Sequence, residues 1–262
     1  MGRLEDKVVI ITGASSGIGA KAAEIFGREG AKLALGARRT ELLEQSAQKA
    51  LNAGAADAIA VTTDIREVDQ CDALVDAALK RYGRVDVLVN DAGIIELGLH
   101  PVDAFTDDEL ERIVETNLKG TMRMTRSALR AFNAQGTGNI VTVASIAAIN
   151  GCGAGVYSAA KGGLVSMTKH IAMRYANRRP TIRANCVCPA TVWTDMTRQE
   201  MAAQPNYNDA AKAFNDSVGK HTCMDVGICK SIDVANVLLF LASDESACLN
   251  GQVMTLDYGY GL

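Results

Sequence analysis

The sequence predicts an α/β protein: one doubly wound domain spanning residues 1–262, with a seven-stranded parallel sheet covered by helices on both faces. Three observations predict it. Short apolar runs recur at 7–12, 32–35, 58–62, 85–90, 139–144, 181–187 and 252–256, and they read as continuous rather than alternating, the mark of a sheet buried on both faces. Longer helical patterns fill the gaps, near 17–29, 40–53, 66–82, 107–134, 155–177 and 231–243. Such alternation argues for parallel strand–helix–strand units with right-handed crossovers. No internal repeat, low-complexity tract or long linker divides the chain, so no separate substrate domain is expected.

The elements follow in order. The first run, Lys7-Val-Val-Ile-Ile-Thr12, ends at a glycine-rich turn, and the helix of 17–29 begins inside that turn. The run at 32–35 leads to Arg38-Arg39 and the helix of 40–53; the run at 58–62 is followed by Asp64-Ile65 and the helix of 66–82. The fourth run, 85–90, closes on Asn90-Asp91-Ala92-Gly93, ahead of the helix of 107–134. The fifth, Asn139-Ile-Val-Thr-Val-Ala144, ends on Ser145 before the helix of 155–177, and the sixth continues into Cys188-Pro189. Then the alternation breaks. Residues 191–225 are polar and Met-bearing with no strand pattern, and a stretch of that length reads as an inserted substrate lid. The helix of 231–243 and the run at 252–256 complete the sheet.

Composition narrows the function. Apolar residues make up 48% and charged residues 22% of the chain, ordinary for a globular protein with a large core. The formal charge of −3, without a basic cluster, argues against nucleic acid as a partner; Arg178-Arg179 reads as a solvated loop before Pro180. The start, Met1-Gly2-Arg3-Leu4-Glu5-Asp6-Lys7, lacks the plan of a signal peptide, and no apolar run approaches membrane-spanning length. A cytoplasmic protein without a membrane partner is the expectation. The seven cysteines, at 71, 152, 186, 188, 223, 229 and 248, show no pair of metal-type motifs. Cys186 and Cys188 share one face of a strand, and His221 is the lone further ligand candidate nearby. Free thiols and no metal are expected.

The turn Thr12-Gly13-Ala14-Ser15-Ser16-Gly17-Ile18-Gly19 has the form of a phosphate cradle. Its glycines permit a tight turn and close backbone approach, and the helix beginning there points free N–H groups at an anion. Gly13, Ser15, Ser16, Gly17, Ile18 and Gly19 are therefore candidate cofactor contacts in a Rossmann-type fold. A carboxylate at the tip of the second strand would select an unphosphorylated ribose. The tip instead reads Leu35-Gly36-Ala37-Arg38-Arg39, and guanidinium forks suit a 2′-phosphate. NADP(H) is favoured, with NAD(H) possible.

Tyr157-Ser158-Ala159-Ala160-Lys161 places a phenol and an ammonium four residues apart, on one helix face. A fixed cation can stabilise a phenolate enough to make it a general acid or base near neutrality. Ser145 stands at the carboxyl end of a buried strand, where open α/β sheets bind ligands. Taken with Thr12 to Gly19, Asp64-Ile65, Asn90-Asp91-Ala92-Gly93, Asn117 and Asn185-Cys-Val-Cys-Pro189, this set resembles the short-chain dehydrogenase/reductase family over nearly the whole chain. The resemblance implies an NAD(P)-dependent oxidoreductase. It implies that Tyr157 is the acid/base, and that Lys161 lowers its pKa and binds the nicotinamide ribose. Ser145 would steady the substrate oxygen, and Asn117 would hold a relay water. It further implies that Asp64 and Ile65 meet the adenine, that Asn90, Ala92 and Gly93 line the cofactor, and that Pro189, Val192 and Thr194 contact the nicotinamide amide.

Three positions depart from the family pattern: Asp91 replaces an asparagine, Ala190 a glycine, and Tyr258, in Asp257-Tyr258-Gly259-Tyr260-Gly261-Leu262, a common glycine. The lid carries Trp193, Met196, Met201, Phe214 and Met224, adaptable apolar side chains suited to a hydrophobic alcohol or ketone. Trp193 is the candidate substrate contact there, and a hydroxysteroid or bile-acid type of substrate is the expectation. A 3-oxoacyl-carrier-protein reductase is the rival enzyme, weakened because 133–139 offers no basic docking group. A non-catalytic cofactor-binding sensor is the rival of another class; the intact catalytic set speaks against it. Leu118, Met122, Leu129, Leu164, Met167 and Ile171 lie on helices that resemble the family's dimer-forming pair, so a homotetramer or homodimer is expected. His100, His170 and His221 receive no role.

Overall fold

The computed structural model describes residues 2–177, 181–223 and 227–260. Arg178, Arg179, Pro180, Met224 and the last two residues of the chain lie outside them. The strands are β1 (Val8–Thr12), β2 (Lys32–Ala37), β3 (Asp57–Thr62), β4 (Val87–Asn90), β5 (Gly138–Val143), β6 (Ile182–Pro189), β7 (Val192–Trp193), β8 (Cys229–Lys230) and β9 (Val253–Leu256). The helices are α1 (Gly17–Arg28), α2 (Thr40–Ala53), α3 (Val68–Tyr82), α4 (Asp107–Ile113), α5 (Thr121–Gln135), α6 (Ala147–Asn150), α7 (Gly155–Tyr175), α8 (Asp195–Ala203), α9 (Asp209–His221) and α10 (Ser231–Ala242). Seven strands form one sheet in the order β3-β2-β1-β4-β5-β6-β9, and every neighbouring pair is parallel.

The continuous apolar runs have a direct cause. Along β1, Val9 and Ile11 pack under α1, α2 and α10, while Val8 and Ile10 pack under α3, α5 and the end of α7. Successive side chains on a strand point to opposite faces, so a sheet covered on both faces needs apolar residues at every position. Phe26 and Leu43 fill one layer, and Leu74, Phe132 and Tyr175 the other. Each such side chain contributes about 1.5–3 kcal/mol on burial. Gly138, at the start of β5, lies against the Phe132 ring: a Cβ there would stand 2.2 Å from its Cγ.

The structure corrects several boundaries. The fourth strand begins at Val87 rather than 85, because the Gln135 side-chain amide takes both backbone groups of Val85. The third helix begins at Val68 because the Arg66 N–H donates to Asp64 Oδ1 at 3.0 Å and holds a turn ahead of it. The helix expected over 107–134 is three pieces: α4, a π-helical stretch over Val114–Gly120, and α5. The segment 191–225 is not strandless, since β7 pairs with β8 as Val192 with Cys229 and Trp193 with Lys230. The rest of it holds α8 and α9. No residue of α8 is buried and only Ala211 of α9 is, so this excursion rests lightly on the sheet.

Candidate active site

A cleft of about 430 Å³ opens across the carboxyl ends of β1, β2, β4, β5 and β6. Its first wall is the turn after β1. Gly13 sits at φ +72°, and a Cβ there would stand 2.8 Å from the Ala92 nitrogen. The position needs a residue free to adopt a left-handed backbone and with no side chain. Thr12 Oγ1 accepts from both the Asp91 and Ala92 N–H groups at 3.2 Å, locking the two turns together. Ser16 caps α1 in extended conformation without a side-chain capping hydrogen bond, and the first turn holds no acidic residue. The N–H groups there are left for an anion.

At the tip of β2, the Arg39 guanidinium donates to Ser15 Oγ at 3.1 Å and also to Ser16 Oγ, reaching across the helix start. Arg38 is exposed on the same rim. Asp64 forms a 2.6 Å ion pair with Arg66. The hydrogen bond from Arg66 holds its carboxyl below the usual range, against the opposing effect of burial.

The chemical end is built from β5 and α7. Ser145 follows β5, and its Oγ accepts from the Ala147 N–H at 3.2 Å. Tyr157 and Lys161 stand one turn apart on α7, with the Lys161 Nζ 5.7 Å from the centre of the Tyr157 ring. Lys161 is 4% exposed, and its ammonium donates to the Val143 carbonyl at 3.0 Å. An ammonium has three donors, so one serves as anchor and the others stay available. Gly93 leaves the room for this: a Cβ there would meet Asn117 Oδ1 at 3.3 Å and Lys161 Nζ at 3.4 Å.

Asn117 lies in the π-helical stretch and is fully buried. Its Oδ1 accepts from the Ile94 N–H and its Nδ2 donates to the Ile94 carbonyl, both at 2.8 Å. π-Bulges recur at functional sites; this one turns an amide toward the loop after β4. The side chain is thus committed to fixing Ile94. Asp91 also behaves unlike an amide. Burial pushes its carboxyl up to about 7, against the opposing pull of the Lys161 ammonium and the Gly19 N–H.

Gly13, Ser15, Ser16, Gly17, Ile18, Arg38, Arg39, Asp64, Ile65, Ala92, Gly93, Ser145, Tyr157, Lys161, Pro189, Val192 and Thr194 all line the cleft. Four candidates from the sequence do not. Gly19 packs behind it, against Gly13 and the Asp91 carboxyl. Asn90 is buried and donates to Thr125 Oγ1 at 2.9 Å. Asn117 stands one layer back. Trp193 is 49% exposed and outside the cleft, with the Arg198 guanidinium 5.9 Å from its ring centre; Met196 and Met201 face the cleft in its stead. Strand alternation explains the swap, since Val192 turns inward and its neighbour outward.

Among the lining residues that sequence reasoning did not single out are Glu96 and Glu200. Glu96 is fully buried, both its carboxylate oxygens lack a hydrogen-bond partner, and burial pushes it up to about 7. Its only signal in the sequence is a carboxylate inside the apolar run Ile94-Ile95-Glu96-Leu97.

The profile of the short chain dehydrogenase family matches residues 7–205. Levodione reductase of Leifsonia aquatica is 35% identical over 260 residues, covering 98% of this chain and 95% of that protein. A 3-oxoacyl-[acyl-carrier-protein] reductase of Thermotoga maritima is 35% identical over 259 residues, covering 98% of both. A 7alpha-hydroxysteroid dehydrogenase of Bacteroides fragilis is 32% identical over 265 residues, covering 99% of this chain and 96% of that protein. The crystal structure of levodione reductase superposes with a TM-score of 0.87 at 32% identity, covering 98% of each chain. A variant of actinorhodin polyketide ketoreductase with NADPH superposes with a TM-score of 0.83 at 33% identity, covering 97% of each. With a nucleotide cradle, a phenol–ammonium pair and relatives matched end to end, the chain belongs to the short-chain dehydrogenase/reductase family, whose members act on CH–OH groups.

Proposed function

We propose that the chain interconverts a secondary alcohol and its ketone with NADP(H), on a hydrophobic substrate of the hydroxysteroid or bile-acid type. One observation carries the reading: the Tyr157 phenol and the buried Lys161 ammonium share a cleft with the paired guanidinium groups of Arg38 and Arg39. The donor set fits a phosphorylated dinucleotide. Arg38 and Arg39 would hold the adenosine phosphate, Gly13, Ser15, Ser16, Gly17 and Ile18 the diphosphate, and Asp64 and Ile65 the adenine. Ala92, Gly93 and Lys161 would hold the second ribose, and Pro189, Val192 and Thr194 the nicotinamide amide. When bound, the nicotinamide supplies or accepts the hydride.

The chain's own residues do the rest. The Ser145 hydroxyl orients the substrate oxygen. The Tyr157 hydroxyl gives that oxygen its proton in reduction and takes it back in oxidation. Lys161, anchored by the Val143 carbonyl, holds its ammonium beside the phenol. Asn117 acts as a positioning residue through Ile94.

The thinly packed α8 and α9 support a lid reading for about 191–225. Apolar lining from Ile94, Leu99, Met196 and Met201 supports a hydrophobic substrate, as does the hydroxysteroid dehydrogenase relative. A homodimer or homotetramer, and a cytoplasmic location, belong to this reading. Leu164 and Ile171 are buried within the subunit, whereas Met122 is 49% exposed and free to face a partner.

The test is NADPH oxidation against a panel of steroids, acyl thioesters and sugars. Tyr157→Phe should lower kcat by about 10²–10⁴-fold while NADPH still binds. Substantial remaining turnover removes Tyr157 from the acid/base role.

A further inference from the structure

The loop after β4 covers the start of the helix that carries Tyr157. Helix α7 begins without help from its own sequence: its N-cap is Ala154, no side chain caps it, and its first turn holds no acidic residue. The free N–H groups of a first turn need acceptors from elsewhere. Here the Gly155 N–H donates to the His100 carbonyl at 3.0 Å. Val102 closes over the same spot, since a Cβ on Gly155 would stand 3.1 Å from the Val102 Cα. Tyr157 follows two residues later.

The side chain of His100 fixes the residue that offers this carbonyl. Its Nδ1 lies 2.8 Å from Glu109 Oε1. Glu109 is fixed in turn, because its Oε2 accepts from the Thr106 N–H at 2.9 Å in the capping box of α4. The imidazole also lies against Gly98, where a Cβ would stand 2.8 Å from Nε2. Between these two residues Leu99, which lines the cleft, adopts φ +48°. A left-handed backbone at a bulky residue is costly and persists only where its surroundings enforce it. The His100–Glu109 pair, next in the chain, supplies that hold.

We propose that His100 is a positioning residue for Tyr157: anchored on Glu109, it presents its carbonyl to the first turn of α7 and keeps Leu99 in the cleft wall. This rests on the reading of Tyr157 as the acid/base and adds a residue outside the reacting set. A misplacement of about 1 Å can cost about a hundredfold in rate, so the pair reaches the chemistry without touching it.

The experiment uses the full chain carrying His100→Leu, which fills much of the ring's space without a donor, or His100→Asn, whose amide nitrogen takes the place of Nδ1. Reduction of dehydrocholate by NADPH gives kcat, fluorescence titration gives NADPH affinity, and hydrogen exchange read by mass spectrometry follows the amides of 154–158. In His100→Leu, kcat should fall about 10–100-fold while NADPH affinity stays within about twofold of wild type. Exchange over 154–158 should speed about tenfold, and His100→Asn should recover both kcat and exchange to within about threefold. Glu109→Gln keeps an acceptor for the Thr106 N–H and carries the test should His100→Leu fail to fold, with a kcat loss of about 3–10-fold. Wild-type kcat in both His100→Leu and Glu109→Gln, a loss that His100→Asn does not recover, or NADPH affinity lost in step with kcat overturns the assignment. No reduction of dehydrocholate by wild type sinks the bile-acid reading alone. The exchange at 154–158 then decides, and unchanged exchange in His100→Leu overturns the positioning role.

Discussion

Replacing Asp91 by Asn should stabilise the protein, and only above the acid range. In the folded chain the carboxyl is raised from its ordinary 3.8 to about 7 by burial. Between about pH 4 and pH 7 the folded state keeps a proton that the unfolded state has released, so stability falls as pH climbs through that window and is flat above it. The rise corresponds to roughly 4 kcal/mol at 1.36 kcal/mol per pH unit. Asp91 keeps partial solvent contact, which screens the charge and leaves about 2 kcal/mol. Asparagine has the same shape, keeps an acceptor for the Gly19 N–H and carries no charge. Thermal melts of the cofactor-free protein should therefore place Asp91→Asn about 4–8 °C above wild type at pH 8, with the two curves meeting near pH 4. A variant that melts at or below wild type at pH 8, or an offset of equal size at both pH values, refutes the reasoning.

Two further outcomes follow from the same geometry. Arg38→Asp and Arg39→Asp should each move the kcat/KM ratio of NADPH over NADH toward NADH by about 10–100-fold, the scale of a lost charge-assisted contact; an unchanged ratio in both removes the arginines from cofactor choice. Gly138→Ala should lower stability by about 1–3 kcal/mol in denaturant titrations, because the added methyl meets the Phe132 ring, and adding Phe132→Leu should recover part of the loss.

Much of this was legible in the sequence because the signals were local. The buried runs of β1, β2, β4, β5 and β6 wrote most of the sheet directly, since a strand with no solvent face has no polar alternation to obscure it. Tyr157 and Lys161 were readable as a pair because helical spacing alone puts them on one face. Where the sequence failed, the determinant was tertiary. The break in the helix over 107–134 answers to Ile94, more than twenty residues away, whose backbone claims the Asn117 amide. The pairing of β7 with β8 joins residues 192 and 229, and two-residue strands leave no periodicity to read. Trp193 looked like a substrate contact on chemistry alone, yet its register turns it outward. Glu96 carried no pattern, since an isolated acid in an apolar run becomes notable only once its missing partners can be seen.

The pair of hydrogen bonds between Asn117 and Ile94 makes a clasp of one amide: a donor and an acceptor on one side chain close on the acceptor and donor of one residue. Opening it strands both backbone groups at once, so the floor of the cleft and the helix pair α4–α5 move as a single mechanical piece. Any force on that pair is delivered to the loop beside the reacting groups without an intermediary.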